Sequence, residues 1–81
     1  MYNESVIKLS KIKNLLNEEQ IQNLEQYLRN SKYENLQIPL SNWVESNIKP
    51  DIENENAVKI FGILYDKNRE ESLQMLLLKN S

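Results

Sequence analysis

One glycine, Gly62, and two prolines, Pro39 and Pro50, are all that 81 residues offer for sharp turns. Two-residue hairpins depend on positions with positive φ, where glycine is the usual occupant. A meander of strands would need more of them. The chain is therefore expected to be all-α, provided its apolar residues recur at helical spacing.

They do recur in that way. Over roughly residues 4–16, Val6, Leu9, Ile12, Leu15 and Leu16 return at steps of three and four. The second segment begins with a capping box, Asn17 followed by Gln20, and with Glu18 and Glu19 at the positive end of the helix dipole. Ile21, Leu24, Tyr27 and Leu28 then share a face, and Glu25 stands four residues before Arg29 in the favourable order for an ion pair. Residues 31–38 read as a loop. Pro39 predicts that a third helix starts after it, with Leu40, Trp43, Val44 and Ile48 on one side, and Lys49-Pro50-Asp51 ends that helix.

Residues 54–65 carry Ala57, Val58, Ile60, Phe61, Leu64 and Tyr65 around half the circumference or more, the pattern of a deeply buried helix. Their β-branched content also suits a strand, but no second apolar run offers a parallel partner. Helix is the preferred reading. Gly62 inside it implies either close approach by a neighbour, for which Trp43 is the candidate, or a kink. A second capping box, Asn68 with Glu71, opens a last helix that runs to about Lys79. The expected architecture is one domain over residues 1–81, a compact bundle of four to five short helices.

Catalytic chemistry has little to work with. There is no histidine and no cysteine, which excludes disulfides, Cys/His zinc sites, cysteine nucleophiles and histidine-based triads. The acid pairs Glu18/Glu19 and Glu70/Glu71 are sequence neighbours that diverge by about 100° on a helix, and both sit in first turns where acids belong. The acidic stretch from Asp51 resembles a calcium loop, but Asn56 stands where that loop needs glycine and Gly62 where it needs glutamate. No enzyme, cofactor or metal site is expected.

The partner is expected to be another protein, either a larger host target or a second copy in a homodimer. In the last helix, Leu73, Leu76 and Leu77 form one apolar face, predicted to point inward, and Met75 and Leu78 group on the opposite side, where either a partner or the first two helices of the same domain would cover them. Gln74, Glu71 and Lys79 would ring that patch, and Tyr33 in the loop and Tyr2 near the terminus are further contact candidates. The alternative is a small dimeric DNA-binding regulator using Lys8, Lys11 and Lys13. A net charge of −2, from 10 basic and 12 acidic residues, and only two arginines speak against nucleic acid.

The longest apolar run, Met75 to Leu78, is far too short to span a membrane, and the first residues lack a secretory apolar stretch. A cytoplasmic location is expected. The abundance of asparagine, lysine and isoleucine reflects A/T-rich codons and suggests a low-GC bacterium, with a phage or mobile element as the setting. The expected role is a regulator or inhibitor that occupies a surface of its target.

Overall fold

The computed structural model describes residues 4–32 and 34–79. They form α1 (Glu4–Lys13), α2 (Glu18–Arg29), α3 (Gln37–Asn47), α4 (Glu55–Tyr65) and α5 (Arg69–Lys79), and no strand occurs among the described residues. The chain is all-α. Residues 57–65, where helix and strand competed, are helical.

Asparagine starts three of the helices. At α2 the Gln20 N–H donates to Asn17 Oδ1 at 2.8 Å, and the Asn17 N–H donates back to Gln20 Oε1 at 3.0 Å. At α5 the same box joins Asn68 and Glu71, at 2.8 and 3.3 Å. Asn54 caps α4 by accepting from the Asn56 and Ala57 N–H groups. Each cap satisfies donors that a helix leaves unpaired at its start, worth about 0.5–2 kcal/mol.

Helix α3 departs from expectation. It begins at Gln37, two residues before Pro39, with Asn35 Oδ1 accepting from the Ile38 N–H. Proline is tolerated there because first-turn N–H groups have no partner within the helix.

The core collects Ile12, Leu24, Leu40, Trp43, Val44, Phe61, Leu64 and Leu76 with their neighbours into one cluster. α4 contributes five buried residues, more than any other helix, as its all-round apolar pattern predicted. It packs against both α1 and α5, and α2 packs against α3. Trp43 is core: its ring is buried and its Nε1–H donates to Asn23 Oδ1 at 2.9 Å, tying α3 to α2.

Gly62 does mark a close approach, but the neighbour is α5 rather than Trp43. A Cβ on Gly62 would lie 2.8 Å from Ser72 Oγ and 3.0 Å from the Lys67 carbonyl oxygen. The chain then leaves α4 through Asp66, which adopts the left-handed conformation at φ 56°. Aspartate is among the few residues that adopt it readily.

Candidate functional site

The contact of Gly62 with Ser72 fixes how α5 is rotated. Ser72 and Leu76 are fully buried, with Leu73 and Met75 packed partly against the core beside them. This corrects the predicted division of the helix. Met75 belongs to the inward arc, and Leu77, assigned inward by its leucine neighbours, is 53% exposed. Leu78 is 76% exposed. The outward face therefore holds Leu77 and Leu78, with Gln74 between them a turn earlier and Glu70 and Glu71 a turn before that, all exposed.

The cause is steric. Two helices approach most closely where side chains are smallest, and here that point is Gly62 against Ser72. A pattern built from leucines alone centres the stripe between Leu73 and Leu77. The missed signal is the serine at the i position before Leu76 at i+4, following directly from the Asn68 capping box. The same substitution of roles occurs in α1. Ser5 is buried there, while Val6, expected on the apolar face, is 50% exposed.

Lys79 also turns back to its own fold. Its Nζ lies 2.9 Å from Glu45 Oε1 and 3.0 Å from Oε2, and the Tyr65 hydroxyl donates to the same carboxylate. These three residues tie the ends of α4 and α5 to α3. Partial burial pushes the Glu45 carboxyl up, but the hydrogen bonds from Tyr65 and Lys79 and the ammonium charge outweigh it and hold the group below its usual range. Burial first, then the hydrogen bond to Glu45 and its charge, push the Tyr65 phenol well above the usual tyrosine value.

The three lysines proposed for DNA contact are divided. Lys8 lies 2.9 Å from Asp66 Oδ2 and donates to the Leu64 carbonyl at 3.3 Å, so it serves as the cation at the C-terminal end of α4. Lys13 pairs at 3.6 Å with Glu25, which the sequence had matched to Arg29. Lys11 is exposed and makes no ion pair among the described residues. Two of the three charges are thus committed within the fold. Tyr33 and Tyr2 lie outside the described residues.

Among the described residues, no three carboxylates come together in a group that could hold a metal ion. No helix there is long and apolar enough to cross a membrane. Compared with protein-family models, curated proteins and solved structures, the chain matches none.

Proposed function

We propose that the protein is a non-catalytic binding module that acts by laying the outward face of α5 against a larger protein. The observation that supports this most directly is the exposure of Leu77 and Leu78 side by side at the end of that helix. Fully burying a large aliphatic side chain is worth about 1.5–3 kcal/mol, and with Leu77 53% and Leu78 76% exposed the pair offers a partner roughly 2–4 kcal/mol. Gln74, Glu70 and Glu71 supply a polar border, the usual arrangement around an apolar contact centre. Within this reading Met75 and Lys79 support the helix from behind, and the contact residues are Leu77, Leu78, Gln74, Glu70 and Glu71.

The regulator or inhibitor role follows from the manner of binding: a module without chemistry acts by covering what its partner needs. The phage or mobile-element setting rests on the asparagine-, lysine- and isoleucine-rich composition.

The test is the Leu77→Asp/Leu78→Asp double variant, with circular dichroism, molar mass by light scattering, and partner capture as readouts. The expected result is an unchanged helical spectrum with partner capture abolished. A double variant that unfolds, or that retains the same partners as the parent chain, would remove the proposal. A concentration-dependent dimer abolished by the same substitutions would reassign the face to a second copy.

A further inference from the structure

A trough lies where α1, α4 and the start of α5 meet. Its larger part, about 510 Å³, has Leu15, Val58, Gly62 and Ile63 among its lining residues. An adjoining hollow of about 490 Å³ shares Lys11, Gly62, Ile63 and Lys67 with it and extends the trough to Ile7 and Glu4. The trough follows α1 from Glu4, a helix about 14 Å long at 1.5 Å per residue, and continues past its end at Lys13 to Asn14 and Leu15, about three helical turns in all.

Its charge is opposite to that of the chain. The net charge is −2, yet Lys8, Lys11, Lys59, Lys67 and Arg69, half of the 10 basic residues, line these two hollows. Glu55 is bonded to Arg69 and Asp66 to Lys8, so those four charges cancel locally. Lys11, Lys59 and Lys67 make no ion pair among the described residues, although Lys59 shares the field of Glu55 one turn earlier, and the remaining acid in the lining is Glu4. The result is an apolar floor beneath a positive rim.

We propose that this trough binds an acidic amphipathic helix of another protein, about three turns long. Its apolar ridge would rest on Ile7, Leu15 and Ile63, the half-buried apolar side chains of the lining, and its carboxylates would meet Lys11, Lys59 and Lys67. The length suits helix-in-groove recognition, and the two chemistries of the trough match the two faces of such a helix. A small inorganic anion would use the lysines but leave the floor uncovered, and a nucleic-acid duplex likewise has no apolar ridge to place there. This site shares no residue with the outward face of α5 made by Glu70, Glu71, Gln74, Leu77 and Leu78. The chain thereby gains a second docking surface of opposite charge preference.

The experiment is a titration of the isotope-labelled full chain with a synthetic three-turn peptide bearing a leucine ridge flanked by glutamates, followed by amide NMR. Shifts are expected at Leu15, Val58, Gly62 and Ile63. Binding should weaken about tenfold or more in a Lys11→Glu/Lys59→Glu/Lys67→Glu variant, and also when salt rises from about 50 to 300 mM. The Lys→Gln version of the triple variant gives the same answer if charge reversal disturbs the fold. The Leu77→Asp/Leu78→Asp variant should bind this peptide normally, so the two surfaces stand or fall separately. Four results would overturn the proposal: no shift at millimolar peptide, equal binding of a leucine–lysine control peptide, shifts confined to the end of α5, or the same amides responding only to inorganic phosphate or a DNA duplex. Shifts at these residues on concentrating the protein alone would also overturn it, assigning the trough to a second copy.

Discussion

Helices α2 and α5 begin alike and end differently. Both open with a capping box that the structure forms in full, Asn17 with Gln20 and Asn68 with Glu71. Both are short, 12 and 11 residues. In α2 the apolar residues are few and separated by glutamine, glutamate and asparagine, so only one stripe can face inward, and fully buried Leu24 lies at its centre. In α5 aliphatic residues occupy five of the six positions from Leu73 to Leu78, and almost any rotation buries some of them. There the tie is broken from outside the helix, by Gly62 of α4 meeting Ser72. The difference shows that sequence periodicity orients a helix when apolar residues are scarce, and that steric fit orients it when they are abundant.

The largest effect that bears on this comparison is expected at the stripe centres. Leu24→Ala in α2 and Leu76→Ala in α5 should each cost about 2–5 kcal/mol in urea denaturation, because both side chains are fully buried. A cost well below that at Leu76 would mean that α5 is rotated otherwise.

Gly62→Ala sharpens the point. Alanine favours the helix by about 1 kcal/mol, yet its Cβ would collide with Ser72 Oγ and crowd the Lys67 carbonyl. The expected net effect is a loss of about 1–2 kcal/mol. Ser72 Oγ is buried and finds no hydrogen-bond partner among the described residues, so Ser72→Ala alone should be neutral or stabilising by about 1 kcal/mol. In the Gly62→Ala/Ser72→Ala double variant the loss should shrink by about 1 kcal/mol relative to additivity, a coupling that a double-mutant cycle measures.

The shared feature of the two helices gives a smaller effect. Asn17→Ala and Asn68→Ala are each expected to cost about 0.5–2 kcal/mol, and similar values would show the caps to be equivalent despite the different faces that follow.

A modest acid effect is expected at the far end of α5. Glu45 is held below its unfolded value of 4.5, so its contribution is fully present above about pH 4.5 and drains away as pH falls through the lower folded value. For a carboxylate this exposed the effect should stay under about 1 kcal/mol. Glu45→Gln should flatten that part of the stability profile. Tyr65 acts in the other direction. Its phenol is held neutral, so stability should fall as pH rises above 10.

Much of the fold was legible because its signals are local. The glycine count excluded hairpins, two capping boxes placed the starts of α2 and α5, and the apolar density of residues 57–65 marked the most buried helix. The start of α3 was misplaced because Pro39 restricts only the residue before it, and a first turn accommodates that restriction. The candidate site was half legible. An apolar surplus in α5 could be counted, but its direction depended on Ser72, a residue that no hydrophobicity pattern singles out. The fate of the lysines was not legible either. Lys8 meets Asp66 across 58 positions of sequence, and only packing of α1 on α4 brings them together. The trough was hidden for the same reason, since its rim is assembled from three helices.

The proposed binding face depends on the rotation of α5, which buries Ser72 and Leu76 and presents Leu77 and Leu78 outward. Denaturation of the Leu77→Asp/Leu78→Asp variant tests it most directly, because aspartate is tolerated at an exposed position and ruinous in a core. The expected result is a stability within about 0.5 kcal/mol per substitution of the parent chain, in the range of surface changes. A loss of several kcal/mol would place these leucines in the core and contradict both the rotation of α5 and the binding face built on it.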